Sequence, residues 1–269
     1  MKYTLLLTFL FVALCVSSQE TPTWITKFEE SRAQLIDVEN FSKDKLIAIK
    51  KYSKNYRLIT IDKSNGDTTE ILRLKGGYHF HTTQVEVDHS GNVIVAGTYR
   101  KEMSIEAYQR LSDNNVTKTF LLKFKPGQAI DTTNIKHFKA LETAQLGILP
   151  GNAIVLSGFF RYKANIMGQA LKAGLDDVFI MKLTPQLELN WIKNYGSGGD
   201  EHVTAMHIAQ DGNIVISAKI NRDFDLGEGH HIKLEKGVLH GAALWKMDPA
   251  GRIIWHHVFK AYSLVKFNI

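Results

Sequence analysis

Cysteine is all but absent from this 269-residue chain. The one present, Cys15, lies in the first 18 residues, so the rest of the chain cannot be held by disulfides and must be stable through packed structure alone. Apolar spacing at the helical period is also nearly absent; the best helix candidate is the short stretch Ile105 to Leu111. No apolar run reaches membrane-spanning length. The nucleophile-elbow pattern Gly-x-Ser-x-Gly is missing. The glycine-rich run Gly196 to Gly199 sits between strand patterns and opens no helix, which excludes a nucleotide cradle. A strong charge excess is missing too. The net charge is +6, with lysines scattered (Lys43, Lys45, Lys50, Lys51, Lys54). That balance fits solvated strand faces with a mild preference for anionic glycans, lipid headgroups or wall polymers, and it argues against nucleic acid as a partner.

What is present is a strand pattern that returns about every 60 residues. Asp88 to Tyr99 (DHSGNVIVAGTY) is echoed by Pro150 to Phe159 and by Asp211 to Ala218. Gly91 to Gly151 is 60 residues, Gly151 to Gly212 is 61, and Trp191 to Trp255 is 64. A second segment alternates with it: Tyr56–Asp62, Thr119–Lys125, Val178–Thr184 and Ala243–Asp248. A fixed period means an array of like units. One unit reads as four strands. Val203 to Ile208 alternates apolar and polar residues, Asp211-Gly212 makes a hairpin turn, and Ile214 to Ala218 follows. After a longer link come Ala243 to Met247, the turn Asp248 to Gly251, and Ile253 to Phe259. Four antiparallel strands repeated in series predict an all-β chain, a β-propeller of four-stranded blades. Four blades are expected, at Ala33–Leu74, Thr82–Phe138, Thr143–Tyr195 and Val203–Phe259.

The ends carry different signals. Met1 to Ser18 has a charged start at Lys2, an apolar run from Leu5 to Leu14, and small residues before Gln19, which is the pattern of a secretory signal. The expected organisation is therefore a signal peptide at 1–18, a propeller array at 19–260 and a non-repeat tail at 261–269. Export places the protein outside the cell or at its surface, with the periplasm and the outer-membrane surface both open. Trp24 to Phe28 aligns with the outermost strand of a blade, yet no first three strands precede it. Four blades are the lower limit of the architecture. The array is accordingly expected to be an incomplete, truncated ring, whose open blade edge would favour self-association.

The stretch from Asp176 to Trp191, then Tyr195 to Glu201 (YGSGGDE), then Asp211 to Asn213, resembles the bacterial seven-bladed β-propeller repeat known as the SBBP repeat. The third unit matches it almost throughout. The fourth shares the Trp and the Asp-Pro-x-Gly turn, the second lacks the Trp and the Gly-Gly-Asp turn, and the first keeps only the strand pattern. The resemblance implies an exported or cell-surface protein and carries no catalytic residues. Trp191 and Trp255, at one repeat position, are expected to pack between blades.

In a four-stranded meander, links between strands two and three share an end with links between blades. Here that end has long excursions, Arg100–Lys118, Arg161–Leu175 and Lys219–His240, while the opposite end has only tight turns. Long loops on a rigid scaffold favour binding. The polar groups expected there are His79, His81, Asp200, Glu201, His202, His230 and His231. His with carboxylate can suit a divalent ion, but the spacing matches no ligand motif, so no metal and no cofactor are expected. Deleting Arg222 to Glu235 is expected to leave the sheets intact. The leading expectation is a non-enzymatic scaffold that binds a protein or glycan ligand or displays it at the surface. The alternative is a secreted polysaccharide hydrolase or lyase using channel-facing carboxylates, for which Asp37, Glu86 and His207 are the titratable groups on the presumed inner strands.

Overall fold

The computed structural model describes residues 33–53, 55–77, 79–105, 111–112, 116–234 and 240–261. The signal pattern, the expected outer strand at Trp24 to Phe28 and residues 262–269 of the expected 261–269 tail lie outside the described residues, while Ala261 belongs to the last strand. The described chain is all-β, with one short 3-10 turn at Thr132–Asn134. No helix among the described residues is long and apolar enough to cross a membrane.

Sheet 1 runs β1 (Gln34–Asn40), β2 (Lys45–Tyr52), β3 (Asn55–Asp62), β4 (Thr68–Gly76). Sheet 2 starts with β5 (His81–Val87) and β6 (Val93–Tyr99). Its excursion holds β7 (Glu102–Ile105) and β8 (Leu111–Ser112), after which β9 (Lys118–Phe124) and β10 (Ile135–Lys139) complete the sheet. Sheet 3 is β11 (Leu141–Ile148), β12 (Ile154–Ile166), β13 (Gln169–Leu183), β14 (Leu189–Tyr195). Sheet 4 is β15 (His202–Ile208), β16 (Ile214–Ile220), then the small hairpin β17 (Phe224–Asp225) and β18 (His231–Ile232), then β19 (His240–Met247) and β20 (Ile253–Ala261). Each sheet is an antiparallel meander in chain order, and none closes on itself. The four expected strand quartets are thus present.

The repeat is visible in the details of register. The first strand of every sheet has a bulge at one place: Leu35/Asp37, Thr82/Gln84, Thr143/Gln145 and Val203/Ala205. A bulge bends its strand and re-aims one side chain. Asp37 uses this to accept the Val85 N–H of the next first strand at 2.8 Å, and Gln84 accepts the Leu146 N–H in the same way. The first strands β1, β5, β11 and β15 therefore pack in series.

The sheets stack through their faces, and three apolar cores fill the gaps. One lies between sheets 1 and 2, one between 2 and 3, and one between 3 and 4. Sheets 1 and 4 share no such core among the described residues. Polar clamps repeat as well. Lys123 of β9 donates to the Pro185 carbonyl of sheet 3 at 2.9 Å, and Lys182 of β13 donates to the Pro249 carbonyl of sheet 4 at 3.0 Å. Trp191 donates its indole N–H to that same Pro249 carbonyl at 3.2 Å, which fits its expected packing role.

The excursions differ from expectation. Ile105 and Leu111, the ends of the helix candidate, belong to strands. β7 pairs with β4 and extends sheet 1 at its outer edge, which covers hydrogen-bonding groups that an edge strand would leave open. Arg161 to Leu175 is a continuation of the β12–β13 hairpin, because the alternation of apolar residues does not stop at the sheet boundary. Every excursion also buries apolar residues over the core between its own sheet and the preceding one. Met103 and Ile105 do so in sheet 2, Ile166 and Leu171 in sheet 3, and Phe224, Leu226 and Ile232 in sheet 4. Arg222 to Glu235 is therefore a core plug, and its deletion would not leave the sheets intact.

Candidate functional site

The seven polar residues expected at the excursion end fall into three places. His81 and His202 occupy one repeat position, the start of a first strand. His79 and His81 lie exposed at the link into sheet 2. Partial burial, helped by Lys51 and His79, lowers the His81 pKa.

The second place is the junction of sheets 3 and 4, where Asp176, Asp177, Asp200, Glu201 and His202 meet. Asp176 and Asp200 form a parallel bridge, and the Glu201 N–H donates to the Asp176 carbonyl at 2.8 Å. The Asp176 carboxylate is buried and is held by Arg161, whose Nη2 donates to Oδ2 at 2.6 Å. His202 Nε2 stands 3.5 Å from the same oxygen, and its ring lies against Phe159. Glu201 is fully buried and accepts from the Ser197 N–H at 3.2 Å and the Ser197 hydroxyl at 2.7 Å. Asp177 is 5% exposed, and its Oδ1 has no hydrogen-bond partner. Burial raises the pKa of both Asp177 and Glu201. The glycines of the Gly196 to Gly199 turn are explained here. A Cβ on Gly196 would collide with the Asp177 carboxyl group, and one on Gly199 with Asn221 and Glu201. The turn is a cradle for the chain's own carboxylates, so Asp200, Glu201 and His202 are placed to join two sheets.

The third place is the β17–β18 hairpin. Its turn, Gly227 to Gly229, is closed by the Leu226 N–H donating to the His230 carbonyl at 3.0 Å. Glu228 pairs with Lys193 of β14 at 3.1 Å, and His231 stands 3.2 Å from the Asp225 carboxylate. His230 Nδ1 lies 3.2 Å from His256 Nδ1 on β20. Burial, with His230 and His257 nearby, lowers the His256 pKa. No group of three or more His, Cys, Asp or Glu side chains suited to a metal ion occurs among the described residues.

The inner-strand candidates separate into a pair and an outlier. Asp37 is raised to about 6, mainly by burial and partly by Glu39. Glu86 is raised to about 8 by burial and by the charges of Glu39 and Asp37. Glu39, Glu86, Gly147 and His207 share one repeat position. The Ile208 side chain packs where a Gly147 side chain would stand, and His207 is exposed beyond it. The carboxylates of sheets 1 and 2 thus gather without His207.

Apolar exposure marks the excursion end more clearly than the polar residues do. Among the described residues the exposed large apolar side chains form two sets. Val116, Tyr162, Met167 and Leu175 lie on excursions, and Ile254, Trp255 and Phe259 lie on β20. Tyr162 and Met167 also have positive φ, 60° and 50°, a costly conformation for such residues that surrounding structure must impose. The sequence signal for them was available: apolar residues in a long strand-two-to-three link beyond the repeat.

No protein-family model matches the chain, and no curated protein matches it. A solved structure, described as a protein of unknown function from Bacteroides caccae, is similar at 9% identity with a TM-score of 0.36. The match covers 85% of this chain and 83% of that one.

Proposed function

We propose that this chain is an exported, non-enzymatic β-propeller-type scaffold of the SBBP repeat class, its four sheets serving as blades, and that it binds a protein or glycan ligand at the excursion end. The observation that carries the reading is the set of exposed Tyr162, Met167 and Leu175 on the sheet 3 hairpin. Large apolar side chains held at the end of rigid sheets are the usual anchors of a binding surface. An exposed tyrosine can stack on a sugar ring or anchor a protein contact. The acidic groups at the same end support the non-enzymatic side, since Asp176 and Glu201 are engaged in joining sheets. Export rests on the N-terminal signal pattern.

The test is a binding screen of the chain from Gln19 against glycan and surface-protein arrays, repeated with Tyr162→Ala/Met167→Ser. The double variant should lose binding by about tenfold or more, as expected for an anchor pair, with its far-ultraviolet spectrum unchanged. Full binding by the double variant overturns the reading.

A second reading has one observation in its favour. Glu86, with a pKa of about 8, holds a proton at neutral pH beside the more acidic Asp37, and two carboxyls of unlike pKa are what a glycosidase needs. Against it, Asp37 occupies the repeat position of Gln84 and performs the same inter-strand hydrogen bond. Turnover of acidic or neutral polysaccharides that Glu86→Gln abolishes would establish this reading instead.

A further inference from the structure

His230 and His256 are 26 residues apart, and the fold brings their Nδ1 atoms to 3.2 Å, with ring centroids 5.3 Å apart and ring planes at 88°. His230 stands at the tip of the β17–β18 hairpin, positioned by the turn Gly227 to Gly229. His256 stands on the outermost strand of sheet 4, opposite Trp245. In sheets 2 and 3 the matching outer-strand position holds Ile135 and Ile192. The pattern asks for an aliphatic side chain at this half-buried place, and the chain puts an imidazole there.

We propose that His230 and His256 form a two-imidazole site for a borderline divalent transition ion of the Zn2+, Ni2+ or Cu2+ class. Metal–nitrogen bonds of about 2.0–2.1 Å at a tetrahedral angle put two ligand nitrogens about 3.3 Å apart, close to the spacing found. Imidazole suits these ions. Water completes the coordination, because the described residues gather no third strong ligand there. His257 is not part of the site; its ring packs on Phe259. His231 is held toward Asp225. The neighbouring Lys193–Glu228 pair at 3.1 Å fixes the hairpin tip against β14, so both imidazoles are presented on anchored elements. The bound ion would tie the sheet 4 excursion to the outer strand, closing the hairpin over the core that Phe224, Leu226 and Ile232 complete.

Titration calorimetry of the chain with Zn2+ and with Ni2+ tests this. The expected result is one site per chain in the micromolar range. At a hundredfold excess of metal over Kd, the unfolding midpoint should rise by about 5 °C or more. His230→Gln and His256→Gln should each weaken binding at least about tenfold, while His231→Gln and His207→Gln should leave it unchanged. Because His256 is half-buried, the metal-free variants are first compared by thermal melting. A Co2+ absorption spectrum supplies a readout that does not depend on stability. No heat and no melting shift up to about 1 mM metal, or undiminished binding by the His230→Gln/His256→Gln double variant, overturns the proposal and leaves the pair as a simple imidazole–imidazole hydrogen bond.

Discussion

Replacing Glu86 with Gln should make the protein more stable, and by an amount that grows with pH. Glu86 is half-buried on β5 and carries a pKa of about 8 against an ordinary value of 4.5. The folded state therefore holds this proton more tightly than the unfolded chain does. The dependence of unfolding free energy on pH follows the difference in bound protons, unfolded minus folded. Between about pH 4.5 and 8 that difference is negative for Glu86, so its contribution falls by about 1.4 kcal/mol per pH unit. Below that window both states are protonated and nothing is lost. Above it both are ionised and the loss is complete. Over 3.5 units the full loss is on the order of 5 kcal/mol, and relaxation or water entry would reduce it toward about 2. Glutamine keeps the size of the protonated side chain and cannot ionise. Urea unfolding at pH 5, 7 and 9 should show the midpoint of the natural chain falling relative to Glu86→Gln as pH rises, with similar m-values. Parallel pH profiles for the two proteins would refute the reasoning, because they would mean that Glu86 ionises as freely in the folded state as in the unfolded one.

The repeated tryptophan gives a paired prediction. Trp191→Ala, which removes the indole bond to the Pro249 carbonyl and its packing, should cost about 2–4 kcal/mol, whereas Trp255→Ala, at 41% exposure, should cost under about 1 kcal/mol; chemical unfolding of the two variants compares them. Deleting Arg222 to Glu235 removes three side chains that are 1–2% exposed, each contributing about 2 kcal/mol or more, a total comparable with the whole stability of a domain. Far-ultraviolet circular dichroism should show loss of sheet structure at 37 °C, and a native spectrum with an unchanged melting temperature would contradict the role of the hairpin as a core plug.

The sheets were legible because each strand turn repeats one solution to one physical problem. A Gly or Asn at positive φ closes the first turn of sheets 2, 3 and 4, Gly91, Asn152 and Gly212 in turn, and the alternation behind it fixes which face is buried. Asn152 also shows where spacing alone misaligns. The sheet 3 turn has the same length as those of sheets 2 and 4, but its glycine stands one residue earlier, so Asn152, not Gly151, matches Gly91 in its hydrogen bond to the residue that opens the turn. The excursions were misread because their apolar residues follow no repeat. Nothing in the order Phe224, Leu226, Ile232 states that they fold back over the gap between two sheets; that placement depends on the neighbouring sheet. Of the polar candidates, Glu201 is buried where Gly199 lacks a side chain, as Asp177 is beside Gly196, a three-dimensional fact that the linear order does not carry.

The repeat also separates scaffold from chemistry when its positions are compared across sheets. Ser157, Lys182 and Trp191 on sheet 3 match Ser217, Lys246 and Trp255 on sheet 4. The first set lies against sheet 4, whereas Trp255 is exposed, so the same residue types serve stacking in sheet 3 without doing so among the described residues of sheet 4. Departures from the pattern carry different information. Asp37 at the Gln84 position and His256 at the Ile135 and Ile192 position each put a titratable group where other sheets have a neutral or aliphatic one, in a half-buried place. Desolvating such a group costs free energy that the aliphatic residue would not have cost. Asp37 keeps the inter-strand hydrogen bond that Gln84 makes, so the scaffold accounts for it, whereas the stacking of sheets 2 to 4 does not call for an imidazole at the His256 position. The His230–His256 pair is therefore the place where the repeat alone does not account for the residues present. Neighbouring residues in the sequence did not point there, because the partner of His230 is on another strand 26 residues away.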